Sequence, residues 1–187
     1  VILAEALLNA EQAKIFEGYV ARGGRLVSMK PDDRLGSVFG LERSAGTLSK
    51  GYIKTEPNHP ACVGVNSSTL QTHSPAALYR LAGAEAIAWL YTDRDTASKN
   101  PAISIQKFGE GFAVAFAFDL AMSIVYMRQG DPAHINEDVD GLEGKRSVDM
   151  FVGWIDLERI AIPQADEQQR LLVNILAQLS QQPLPRL

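Results

Sequence analysis

The strongest hydrophobic pattern lies between Ala102 and Phe118, where two apolar runs flank Phe108-Gly109-Glu110-Gly111. Two such runs joined by a glycine-bearing tetrad predict a β-hairpin. In Ala113 to Phe118, alanines alternate with Val114, Phe116 and Phe118, so both faces are apolar and a central strand covered on both sides is expected. Asp119 stands at the carboxyl end of that strand. Leu120, Ile124, Val125 and Met127 then outline a helix ending near Gly130.

Upstream, Asn9 with Gln12 three residues on is a capping-box pattern, and Ile15, Phe16, Tyr19 and Val20 fall on one face of the helix it opens. Gly23-Gly24 stops that helix, and Arg25 to Met29 reads as a strand. Helix, glycine stop and strand form half of a βαβ unit, which implies parallel pairing. Val1-Ile2-Leu3 reads as the end of a buried strand. That predicts a fragment lacking strand–helix units ahead of Val1, the alternative being a short edge strand. Pro31-Asp32-Asp33 opens a loop and a short helix through Phe39, stopped by Gly40. Gly51 to Glu56 alternates like an exposed strand, Asn58-His59-Pro60 is a turn, and Leu70 to His73 a short strand. Ser74-Pro75 has the form of a helix N-cap followed by proline at the first helical position. At the other end, Leu171, Leu172, Ile175, Leu176 and Leu179 form the buried stripe of a helix over 164–182, ended by Pro183 and Pro185. Between them, 131–163 is a long polar connection with Trp154 and Ile160 as anchors.

The totals narrow the function classes. The 187 residues suffice for one domain with a substantial core, and 46% hydrophobic with 21% charged residues is ordinary for a globular chain. A net charge of −4 with scattered Lys and Arg builds no basic stripe, so no nucleic-acid partner is expected. A single cysteine excludes a disulfide framework and fits a reducing compartment such as the cytoplasm, although localisation is left open. No apolar run approaches the ~20 residues of a membrane helix, and no membrane partner is expected.

Several stretches combine in a familiar order: the capped helix into Tyr19-Val20 and Gly23-Gly24-Arg25-Leu26-Val27, the Phe39-Gly40 stop, the His59-Pro60 turn, and Lys107-Phe108-Gly109-Glu110-Gly111 leading into a buried strand. Over residues 1–130 this order resembles the class I glutamine amidotransferase-like superfamily. The similar branches are the trehalose-utilisation-like domains and the trimerisation domain of some β-galactosidases. The resemblance implies a single domain over 1–187 with a flavodoxin-like, doubly wound, mostly parallel α/β sheet carrying a β-hairpin. It also implies a strand at Ala86 to Tyr91, where local propensity leaves strand and helix open. Amidotransferases of that superfamily carry a cysteine with flanking glycines on a strand-to-helix elbow, assisted by a His and a Glu. The counterpart here follows Leu26 to Met29 and reads Met29-Lys30-Pro31-Asp32. It holds neither cysteine nor glycine, so the resemblance implies a non-catalytic branch and no catalytic residue carries over.

Other chemistry is sparse. Cys62 lies close to His59 in sequence, which invites a Cys–His reading, but its apolar neighbours favour a small buried thiol. His59, His73 and His134 show no metal-ligand spacing, so surface or capping roles are expected, with no metal and no cofactor. Asn136 to Gly141 has a likeness to a calcium loop but lacks the alternating ligands and the terminal Glu. Ligands of open α/β sheets collect beyond the carboxyl ends of strands, which makes Asp93, Arg94, Asp119 and His134 the ligand-binding candidates. Against this, Asp119 could merely cap its helix and Asp93-Arg94-Asp95 could be a solvated turn. Three functions fit: a non-catalytic module binding a small polar ligand or an attached or neighbouring domain; a carbohydrate-related hydrolase using Asp93, Asp119 and His134; and a homo-oligomerisation module docking through 131–163 and Trp154.

Overall fold

The computed structural model describes residues 1–49, 51–130 and 163–181. His134, Trp154, Ile160, the acidic run after Asn136 and the prolines after the last helix lie outside the described residues.

The chain starts with β1 (Ile2–Leu3), α1 (Ala10–Ala21) and β2 (Arg25–Met29). The capping box forms as the pattern predicts: Gln12 N–H donates to Asn9 Oδ1 and Asn9 N–H to Gln12 Oε1, both at 2.9 Å. The buried face of α1 is carried by Ala13 and Val20 with Phe16 and Tyr19 packed beside them. Ile15 is 62% exposed and off the expected face. Gly23 takes φ +98° at the stop, and a Cβ on Gly24 would sit 2.5 Å from the Tyr19 carbonyl oxygen, so the turn requires both glycines.

A 3-10 turn (Asp33–Leu35) runs into α2 (Gly36–Phe39), which Gly40 ends at φ +59°. Next come β3 (Leu41–Leu48), β4 (Gly51–Thr55), a 3-10 turn (Pro60–Cys62), β5 (Leu70–Thr72), β6 (Ala76–Leu81) and β7 (Glu85–Tyr91). The hairpin β8 (Ala97–Phe108) and β9 (Gly111–Phe116) leads into α3 (Leu120–Gln129), and α4 spans Pro163–Ser180.

Among the described residues seven strands form one sheet in the order β1-β2-β9-β8-β7-β4-β5. β1, β2 and β9 pair in parallel, whereas every pairing from β9 through β8, β7 and β4 to β5 is antiparallel. The sheet is therefore mixed, and the parallel expectation holds only where a helix crosses between strands. Among the described residues β1 lies at the edge of the sheet, with Val1 and Ile2 more than half exposed. β4 is interior, between β7 and β5, with Gly51 and Ile53 buried, so the expected exposed strand is corrected. β9 is interior as its composition demands, and Val114 and Phe116 are fully buried.

The largest departure from expectation is β6. Ser74-Pro75 opens no helix: Ala76 to Leu81 pairs antiparallel with β3 in a separate two-stranded sheet. Ser74 Oγ donates to the Asp119 carbonyl at 2.9 Å and Ala77 N–H to the Ala117 carbonyl at 2.7 Å. These bonds tie β6 to the end of β9 and override its helix-compatible composition. On α4, Leu171, Ile175 and Leu179 are buried as the stripe predicts.

Candidate functional site

β1 and β2 are parallel neighbours, so their carboxyl ends open on the same edge of the sheet. Lys30 follows β2 directly. Its N–H extends the ladder to the Phe116 carbonyl at 2.7 Å, and its backbone then turns to φ +45°. A left-handed lysine costs roughly 1 kcal/mol. Its ammonium sits 2.5 Å from a carboxylate oxygen of Glu5, on the segment leaving β1.

Two residues on, Asp32 is almost fully buried and caps the 3-10 turn. It accepts hydrogen bonds from Arg34 N–H at 2.9 Å and, across the cleft floor, from Leu8 N–H at 3.1 Å. Burial alone would raise its pKa. The two amide bonds and the nearby Arg34 guanidinium outweigh that, holding the carboxyl below its ordinary range.

The opposite wall comes from β3. Arg43 lies over the Tyr79 ring, 5.6 Å from its centroid, and donates to the phenol oxygen at 3.4 Å. Tyr79, on β6, is 2% exposed, and its hydroxyl donates to the Pro31 carbonyl at 3.0 Å. Burial, reinforced by the carboxylates of Asp33 and Glu5, pushes its pKa up to about 12 despite the opposing pull of Arg43. The phenol therefore stays protonated and clamps β6 to the loop after β2. Together these groups surround a cleft of about 440 Å³, lined among others by Glu5, Leu7, Lys30, Asp32, Asp33 and Arg43.

The residues singled out from sequence are distributed differently. Asp119 is the N-cap of α3, its Oδ1 accepting from Met122 N–H at 2.9 Å. Asp93 accepts from the amides of Asp95 and Thr96, both at 2.8 Å; these bonds hold its carboxyl below the usual range. Arg94 is exposed in the same turn. Phe116 is opposite Ile103 and Tyr91 opposite Ala97, so the β7–β8 pair runs on roughly 20 Å past the end of β9. Asp93 is at the tip of that hairpin and Asp119 near its root, and the structure does not bring them together. His134 lies outside the described residues.

Cys62 is buried, with its thiol 3.8 Å from the Ile87 carbonyl, and burial pushes the thiol pKa up despite a hydrogen bond with Thr55. His59 accepts from Ala61 N–H through Nδ1 at 3.2 Å, capping the second 3-10 turn. Burial lowers its pKa against the pull of Glu85 and Glu56. Among the described residues no group of three metal-binding side chains gathers, and no helix is long and apolar enough to cross a membrane.

The cleft residues were only partly visible in sequence. Met29-Lys30-Pro31-Asp32 marks the turn after β2, but Glu5 and Arg43 come from segments with no motif, joined here by the parallel β1–β2 pairing and the β3–β6 sheet.

The architecture defines a mixed α/β domain, and solved structures share it. A cold-adapted β-galactosidase from Rahnella sp. R3 superposes with a TM-score of 0.53 at 19% identity, over 63% of this chain and 20% of that one. A β-galactosidase from Bacillus circulans sp. alkalophilus gives 0.52 at 15% identity, over 67% of this chain and 21% of that one. The likeness is one of fold, and this chain spans about a fifth of the length of those enzymes. No protein-family model and no curated protein matches the chain.

Proposed function

We propose that this chain is a non-catalytic module of the class I glutamine amidotransferase-like kind, on a flavodoxin-like doubly wound plan. In this reading it serves as one domain of a larger carbohydrate-active enzyme and binds a small polar ligand in the cleft beside Lys30. The observation that carries it is the state of the elbow. The residue after β2 has the left-handed backbone that a nucleophile elbow uses, but it is a lysine engaged by Glu5, and the one cysteine is buried elsewhere. The shared fold with a portion of two β-galactosidases supports the setting in a larger chain, as a trimerisation-type or ligand-binding domain. A hydrolase built on Asp93 and Asp119 draws no support from the geometry, because each carboxylate is occupied by its own turn or helix.

Glutamine hydrolysis and glycoside hydrolysis, measured on the purified chain and on its Cys62→Ala and Asp119→Asn variants, test the proposal. No turnover is expected with any of them. Glutaminase activity abolished by Cys62→Ala, or glycosidase activity abolished by Asp119→Asn, would overturn it.

A further inference from the structure

We infer that the cleft between Glu5 and Arg43 takes a neutral, polyhydroxylated ring compound of the pyranose class, held between the Arg43 guanidinium and the Asp33 carboxylate. This rests on the reading of the cleft as the binding surface and adds the chemistry of its occupant.

The charges lining the cleft decide the class. Lys30 is answered by Glu5, and Asp32 is answered by two amides and Arg34. Arg43 and Asp33 are left, one cation and one anion, and among the described residues neither has an ion-pair partner. An anionic ligand drawn to Arg43 meets Asp33, and a cationic one drawn to Asp33 meets Arg43. A ligand with no net charge avoids both repulsions. Vicinal hydroxyls match both groups, because each hydroxyl donates to a carboxylate and accepts from a guanidinium fork.

Size and preorganisation agree. A volume of about 440 Å³ lies within the usual range for small-molecule sites. Leu7, 95% exposed at the rim, offers an apolar surface to the C–H face of a sugar ring. Arg43 is already held over Tyr79, and Tyr79 is held by Pro31, so little side-chain freedom remains to be lost on binding.

The test is an NMR titration of the 187-residue chain with D-glucose and D-galactose, using galacturonate as an anionic comparator and glutamine as a zwitterionic one that lacks vicinal hydroxyls. Both neutral sugars should shift the amides of Lys30, Asp33 and Arg43 with one saturation curve. Arg43→Ala and Asp33→Asn should each weaken binding about tenfold, the loss expected for hydrogen bonds to charged groups. Both side chains are exposed, so unchanged amide spectra elsewhere should verify that the variants are folded. Added salt should leave the affinity within about twofold, since no net ion pair forms. Three results overturn the inference: no sugar-induced shift at these residues, tighter binding of galacturonate or of glutamine, or variants that bind like the parent. None of these bears on the catalytic assays above, so the inference can fail while the non-catalytic reading stands.

Discussion

Glu5 and Lys30 face each other at 2.5 Å across the carboxyl ends of two adjacent parallel strands. The contact places an ion pair where the strand-to-helix elbow turns, and it fixes the segment leaving β1 against the segment leaving β2. Several consequences can be measured.

The left-handed backbone at Lys30 separates two substitutions that both remove the Glu5 contact. Lys30→Ala keeps a Cβ at φ +45°, whereas Lys30→Gly does not. The glycine variant should be more stable than the alanine variant by about 1 kcal/mol, the reverse of the order in ordinary helix or strand positions. Chemical denaturation of the two variants checks this.

Asp32 should make stability depend on acid. Its folded pKa lies below the ordinary value of 3.8. Its contribution is therefore fully present above that value and is lost as pH falls through the lowered folded value. Asp32→Ala strands the amides of Leu8 and Arg34 and should cost about 2 kcal/mol near neutral pH. The same variant should flatten the acid limb of the stability profile, read from urea midpoints across pH 2–6.

Asn174 joins α4 to the turn that carries Cys62. Its amide donates to the carbonyls of Ala61 and Val63 at 2.9 and 2.8 Å, and the residue is 4% exposed. Asn174→Ala should destabilise the fold by about 2 kcal/mol, because two carbonyls lose their donor. Hydrogen exchange should then quicken locally around 60–65.

Cys62 should behave as a packing residue. Burial raises its pKa, so the reactive thiolate is scarce. Iodoacetamide should label it more slowly in the native chain than in the unfolded one. Cys62→Ala should cost about 1 kcal/mol through lost packing, measured by thermal unfolding.

Local sequence signals were reliable where the partner of a group lies within a few residues. Asn9 and Gln12 cap each other, Asp119 caps α3, and the glycines about Glu110 turn the hairpin. Gly111 shows why the turn is so restricted: a Cβ there would lie 2.1 Å from the Val20 carbonyl oxygen. Ser74-Pro75 misled because its hydroxyl is taken by the Asp119 carbonyl, 45 positions away, and not by a following amide.

The sequence by itself determined the capped helix α1, the strands β2 and β9 and the stripe of α4. These follow from spacing and from contacts along one stretch of chain. Only the tertiary structure decided that β6 is a strand, that β4 is interior, that most strand pairings in the sheet are antiparallel, and that Glu5, Lys30, Asp33 and Arg43 share one cleft. The reason is physical: backbone hydrogen bonds between strands and charges gathered from separate segments depend on long-range pairing, which local periodicity does not encode.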